Sequence, residues 1–425
     1  MTGARLWFGQ PRGLTILFLT NMWEQFSYFG MRALLVYYMT RELLFAQGKA
    51  SVIYGAYTAS AYFTPIVGGV VADRLLGKRR AIVVGGSIMA AGHFIMAFPA
   101  LLYPALATIA IGNGLFLPSL PSQIDDLYEP GDPRVGWAYN VYYAGINIGG
   151  LLAPLVCGTL GELYGWHYGF GAAGIGMVAG LVIYLAGGRY LPARDPAAPR
   201  SAAVPPARGR MGRETVLVLA GIVLAVTVFR GAYEQVGNTV ALWADTGVDR
   251  TAGALTIPMT WFQSLNPLMV MLMTPPLLRW WRRRGDPAPA RKMAVGALVV
   301  AGAYLILAAV AAEASGTRAG WPWLVLFFAL FTFGELFILP TGLGLFARLA
   351  PPGLGATTVA AWYVTIFSGS LSAGLVGTLW SRMTPAGYFA MLAALAAIAA
   401  ALLRLLDAPL AMLASDRAEP RGTVA

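Results

Sequence analysis

Clusters of Arg, Lys, Asp, Glu and Pro punctuate this chain into twelve apolar spans. The first six are 14–43, 50–76, 80–102, 104–127, 134–160 and 167–191. After a gap come 214–245, 251–280, 292–314, 321–348, 354–380 and 384–411. A bilayer-crossing helix needs roughly 20 mostly apolar residues, so the pattern predicts an all-α membrane protein with twelve transmembrane helices. The gap from Arg194 to Arg210 is rich in Pro, Ala and Arg and reads as a flexible tether. It divides the chain into a six-helix bundle over 1–191, a linker over 192–213 and a second bundle with a short tail over 214–425.

The halves repeat each other. G-x(4)-L-P occurs at Gly112 to Pro118 in helix 4 and at Gly334 to Pro340 in helix 10, an offset of 222. Tyr143, Ile146, Gly149 and Leu151 of helix 5 recur at Tyr363, Ile366, Gly369 and Leu371 of helix 11, an offset of 220. Helices 1 and 7 carry Trp23-Glu24-Gln25 and Tyr233-Glu234-Gln235, offset 210. Three matches in order argue for parallel repeats about an axis along the membrane normal, with a substrate site between them near the midplane.

Composition narrows the function. Of 425 residues, 58% are hydrophobic and only 12% charged, against roughly 25% in an ordinary soluble chain, which excludes a soluble enzyme. The net charge of +11 would suit nucleic acid only if it gathered on one soluble face. Instead it sorts by side: 23 Lys and Arg fall on the face bearing the termini and 5 on the other, so that the positive-inside rule makes both termini cytoplasmic. The first span is too long, and lacks a following cleavage site, to be a removed signal peptide. A single cysteine, Cys157, and two histidines, His93 and His167, leave no disulfide framework or Cys/His metal cluster, and no cofactor or metal is expected. Cys157 reads as a small packing residue and His93 as a packed neutral histidine.

Charge at a helix centre costs about 2.5 to 3.5 kcal/mol on insertion scales, so five residues inside spans stand out: Glu24, Arg32, Arg230, Glu234 and Glu335. Asn21, Glu24, Tyr28 and Arg32 share one face of helix 1, and the spacing points to a cavity-lining polar stripe or a structural ion pair. Arg230 and Glu234, at i and i+4, can pair within helix 7. Glu335 has no basic residue in its helix before Arg348. It must be protonated or meet a cation from elsewhere, a substrate ammonium included. Tyr62, Tyr143, Asn147, Gln263 and Asn266 add softer polar positions. The turn after helix 2, with Asp73, Arg74, Gly77 and Lys78-Arg79-Arg80, suits a conformational latch: Asp73 can cap or bridge to a neighbouring helix and Gly77 allows a tight turn. No nucleophile, base and orienter occur together, so no enzyme activity is expected.

That turn resembles the loop signature of the major facilitator superfamily. Helix 1, from Asn21 through Glu24-Gln25-Phe26 and Tyr28-Phe29-Gly30 to Arg32, is similar to the E-x-x-E-R-F-x-Y-Y-G signature of the proton-dependent oligopeptide transporter (POT/PTR) family. The likeness continues through Leu127 to Arg134, Tyr142 to Gly149, Gly165 to Gly171, Glu234-Gln235, Trp261 to Pro267 and Gly334-Glu335. It implies the major facilitator fold, two six-helix bundles about a pseudo-two-fold axis, and a monomeric carrier of di- and tripeptides or peptide-like zwitterions. By that resemblance Glu335 would hold the peptide amino terminus beside Asn147 and Asn266, Arg32 would face the carboxylate, and Tyr28, Tyr62 and Tyr143 would shape the pocket. Glu234 matches the helix 7 acid tied to protonation and gating; Glu24 and, from its charge alone, Arg230 are the further candidates for coupling.

The chain departs from the family pattern at five places. Asn21 replaces the first signature Glu, Gln25 the Arg, Leu117 a helix 4 Lys, Gly55 a His that some members carry, and Arg230 an aromatic. The cavity charge still sums to minus one in both patterns, so Arg230 offsets part of the lost helix 1 network. Three readings follow: an alternating-access transporter, with any coupled proton taken by Glu234 or Glu335; an uncoupled facilitator or exporter of a peptide-like natural product; and a non-transporting sensor. The sensor would want a large cytoplasmic element, for which linker and tail are too short.

Overall fold

A computed structural model describes residues 6–7, 9–129, 131–192, 212–285, 287–350 and 355–418. Its first half contains α1 Arg12–Tyr37, α2 Gln47–Val71, α3 Lys78–Ile95, α4 Leu102–Ser119, α5 Val135–Ala153 and α6 Trp166–Ala186. The second contains α7 Arg213–Tyr233, α8 Leu265–Arg284, α9 Pro289–Glu313, α10 Pro322–Leu349, α11 Gly355–Gly377 and α12 Pro385–Leu405. Each falls on a predicted span. The tether from 194 to 210 lies outside the described residues.

Eight of these helices are long and apolar enough to cross a membrane by length and composition alone. The other four carry their own polar load: Glu24 and Arg32 in α1, several Tyr, Ser and Thr in α2, a basic start in α3 and three terminal arginines in α8.

Three boundaries differ from the predicted spans. The seventh helix stops at Tyr233, tightens into a 3₁₀ turn over Glu234–Gly237 and resumes at Thr239–Thr246. The eighth begins at Leu265 rather than 251. The residues before it form short ladders, Val248–Asp249 beside Ala319–Gly320 and Thr251–Ala252 beside Leu255–Thr256, then a 3₁₀ turn over Met259–Ser264. Last, the chain breaks at Leu406 and continues as a separate helix, Asp407–Ala418.

Packing repeats six helices on. In the first half α1 packs on α5 and α6, α3 on α4 and α6, and α2 on α4; in the second α7 packs on α11 and α12, α9 on α10 and α12, and α8 on α10. The halves meet where α2 packs on α11 and α5 on α8. Small residues permit such contacts. A Cβ on Gly85 of α3 would stand 2.7 Å from the Gly112 carbonyl oxygen of α4; a Cβ on Gly296 of α9 would stand 2.5 Å from the Gly334 carbonyl oxygen of α10. Gly112 and Gly334 are the residues of the 222 repeat. Cys157 packs on Gly30, whose Cβ would lie 2.6 Å from its Sγ, and His93 is fully buried.

The turn after α2 is a single π turn over Ala72–Leu76, closed by Gly77 at φ +76°. Lys78 Nζ clasps the neighbouring segment, donating to the Ser122 carbonyl at 2.8 Å and to Asp126 Oδ2 at 2.7 Å. Asp73 shares a surface pocket with Lys78, Asp125 and Asp126. α3 starts directly after Gly77, and Arg74 is exposed.

Candidate functional site

At mid-depth, where the halves diverge, a cavity of about 190 Å³ is walled by both of them. Arg32, Tyr62, Tyr143 and Asn147 come from the first half; Arg230, Tyr233, Glu234, Gln263, Asn266 and Glu335 come from the second. A larger space of about 580 Å³ opens among α8, α9 and α10 beside Arg282, Lys292 and Arg348. It lies within one half, away from the seam that a repeat-built carrier would use.

The end of α7 sets one polar cluster. At the 3₁₀ turn Glu234 is 1% exposed and pairs with two arginines, Arg32 across the seam and Arg230 one turn earlier on its own helix. Arg32 Nε donates to Tyr54 Oη at 2.7 Å, and Arg230 Nη2 lies 3.4 Å from Ser370 Oγ. The break that presents Glu234 has its own geometry. Asn238, with φ −117° and ψ −94°, accepts a hydrogen bond from Ser51 Oγ at 2.9 Å, and a Cβ on Gly237 would meet Tyr54 Oη at 2.1 Å.

Glu335 of α10 forms the second cluster with neutral donors only. Tyr233 Oη donates to Oε1 at 2.8 Å and Asn266 Nδ2 to Oε2 at 2.5 Å. Asn266 also reaches Thr332 Oγ1 at 3.0 Å. Among the described residues Glu335 has no ion pair, so the cavity presents a carboxylate met by neutral donors and, across Tyr233 from it, two arginines half neutralised by Glu234. On the first-half side, Asn147 Nδ2 bonds back to the Tyr143 carbonyl at 3.0 Å, while Tyr143 stays 47% exposed.

The end of the molecule opposite the termini is tied shut across the seam. Arg41 pairs with Asp245, Arg250 Nη1 meets Glu162 Oε1 at 2.8 Å, and Gln47 Nε2 donates to the Gly377 carbonyl at 2.9 Å. Trp261 Nε1 reaches Thr159 Oγ1 at 2.8 Å. Nearer the cavity α2 and α11 touch backbone to backbone: a Cβ on Gly55 would stand 2.5 Å from Gly374 Cα. That contact leaves no room for a side chain at position 55.

Of the helix 1 stripe, only Arg32 lines the cavity. Tyr28 does not; it stacks on Tyr57 with ring centroids 6.4 Å apart, inside the first half. Glu24 is buried and receives a hydrogen bond from Gln25 Nε2 at 2.7 Å, and Asn21 Nδ2 donates to the Tyr142 carbonyl at 3.0 Å. Here Gly145 and Gly149 bring α5 onto α1, a Cβ on Gly149 falling 2.3 Å from the Met22 carbonyl oxygen, so a shared helix face is covered below the cavity. Sequence reasoning missed Tyr54 and Tyr233 as partners of the charges. The aromatic before Glu234-Gln235 was a visible signal for Tyr233.

Two six-helix repeats enclosing a charged cavity at their seam define a membrane carrier of the major facilitator type. The chain belongs to the POT family: the family model described as "PTR2: POT family" matches residues 79–202 and 207–401. It is 31% identical over 488 residues to the di-/tripeptide transporter of Lactococcus lactis subsp. cremoris, covering 97% of this chain and 98% of that one. It is 30% identical over 456 residues to the peptide transporter YePEPT of Yersinia enterocolitica, covering 88% and 89%. The crystal structure of a peptide transporter POT in complex with sulfate superposes with a TM-score of 0.88 at 28% identity, over 96% of this chain and 97% of that one.

Proposed function

We propose that the chain is a secondary transporter of di- and tripeptides or peptide-like zwitterions, working by alternating access in the cytoplasmic membrane with both termini cytoplasmic. The observation that carries this reading is the charge layout of the cavity. Glu335, bonded only to neutral donors, faces the ammonium of a ligand with Asn266 and Asn147 beside it, and Arg32 faces its carboxylate. Tyr62 and Tyr143 shape the space between. Arg32, Arg230, Glu234 and Glu335 sum to zero charge, so a zwitterion leaves the site neutral and its own two charges matched. In this reading the molecule works as a monomer. The bundles 1–191 and 214–425 rock about the seam, and the turn with Asp73, Arg74 and Gly77 latches the cytoplasmic side.

A coupled proton would ride on Glu234 or Glu335. The inward drop through about 100 mV supplies roughly 2.3 kcal/mol and one pH unit about 1.4 kcal/mol, enough for several-hundredfold accumulation. A second reading, a facilitator without coupling, draws on Glu24: its partner is the amide of Gln25 rather than a cation. Proteoliposomes decide. Dipeptide counterflow together with pH-driven accumulation is the expected result. Counterflow without accumulation removes the proton, and no counterflow with a broad peptide panel removes peptide transport.

A further inference from the structure

Arg230 offers more than a partner for Glu234. One carboxylate stands between two arginines, so that wall keeps one positive charge in surplus. Arg230 is 3% exposed, yet its buried Nε–H has no hydrogen-bond partner among the described residues. A guanidinium stays charged and carries five donors, and buried donors are otherwise nearly always satisfied. The side chain lines the cavity with its charge 5.6 Å from the Tyr62 ring and 5.3 Å from the Tyr233 ring, faces that attract a cation without consuming its N–H groups. Gly369 makes room for the stem, since a Cβ there would lie 2.5 Å from Arg230 Cβ.

We infer that Arg230 is a second anion seat, which selects peptides carrying an acidic side chain in addition to their terminal carboxylate. The inference rests on the peptide reading above and names the substrate class within it. Arg32, its Nε engaged by Tyr54, takes the terminal carboxylate; the guanidinium of Arg230, which lines the cavity with a donor to spare, takes the side-chain carboxylate. A dipeptide of this kind brings one negative charge beyond the zwitterion. A proton on Glu234 balances it, in a setting of Tyr28 and Arg32 from α1, Tyr54 and Tyr62 from α2, Arg230 and Tyr233 from α7, Tyr304 from α9, Glu335 from α10 and the neutral Ser370 from α11.

The test uses the full-length purified protein and two isosteric probes, Ala-Asp and Ala-Asn, titrated calorimetrically near pH ~6. Wild type is expected to bind Ala-Asp about tenfold more tightly, the scale of one hydrogen bond to a charged group. Arg230→Gln brings the ratio to about one, and Arg230→Lys, which restores the charge, recovers part of it. A wild-type ratio of one, or a preference that survives in Arg230→Gln, overturns the proposal; should that variant fail to fold, the wild-type ratio still decides. If neither dipeptide binds wild type, the peptide reading itself falls.

Discussion

Glu24 and Glu234 stand in the same three-residue signature, an aromatic, a glutamate and a glutamine, on the first helix of each half. Their surroundings have little in common. Glu234 meets Arg32 and Arg230 at the cavity wall, whereas Glu24 is packed inside its own half against an amide. The glycines of the crossing helices account for this. Gly149 of α5 rests on Met22, Gln25 and Phe26, and Gly369 of α11, 220 residues on, rests on Arg230. Arg230 therefore occupies the depth of the Glu24 turn, and Glu234 stands one turn further toward the sealed end. A match between letters at offset 210 is thus displaced, while matches at 220 and 222 pair residues that make the same packing contact. An acid gains access to the cavity through its depth along the helix more than through its neighbours in sequence.

The contrast can be broken most forcefully at Glu234. Glu234→Gln leaves two arginines without their shared counter-charge, and removing one partner of a buried pair costs about 3 to 5 kcal/mol. Thermal unfolding of the purified protein should register a large drop, with much of it recovered when Arg230→Gln is added. An unfolding temperature equal to that of Glu24→Gln would erase the distinction.

Glycine substitutions sharpen the equivalence of the two crossings. Gly369→Ala and Gly149→Ala each place a methyl group 2.5 and 2.3 Å from a neighbouring atom of α7 and α1, and overpacking of this kind costs about 1 to 3 kcal/mol. Similar losses are expected at both sites. A silent Gly369→Ala beside a damaging Gly149→Ala would undo the structural pairing of Arg230 with the Glu24 turn. The smallest effect belongs to Glu24→Gln, about 1 kcal/mol or less for exchanging one neutral-donor contact, with dipeptide counterflow kept. Loss of pH-driven accumulation in that variant, with counterflow kept, would place helix 1 in the coupling machinery.

Eight of the helices were legible because apolar runs of membrane length announce themselves whatever they pack against, and the other four because clusters of charge and proline mark off their ends. The cavity charges were legible for the complementary reason: Arg32, Arg230, Glu234 and Glu335 stand inside apolar spans, where an unpartnered charge is costly. What the chain's letters do not carry is depth and long-range pairing. Arg32 and Glu234 are 202 residues apart, and nothing near either one names the other. The stop at Tyr233 was hidden because Glu234-Gln-Val-Gly237 fits a continuing helix as well as a 3₁₀ turn. The ladder at Val248–Asp249 was hidden because its partner Ala319–Gly320 lies between two later helices. Tyr28 was placed by helical angle and by resemblance, neither of which shows that its ring stacks on Tyr57 of α2.

The paired glycine contacts, Gly85 with Gly112 and Gly296 with Gly334, bring α3 onto α4 and α9 onto α10 backbone to backbone, packing dense enough to pass on displacement and so to suit a half that turns as a lever. A helix of 26 residues such as α1 is about 39 Å long at 1.5 Å per residue. Tilting it by about 10° around its midpoint would carry each tip through roughly 3 Å, enough to part a hydrogen bond, while atoms near the fulcrum travel a fraction of that. Ties such as Arg41 with Asp245 and Gln47 with Gly377 would then be cut and remade with each stroke, and the charges around the cargo could hold their spacing almost throughout.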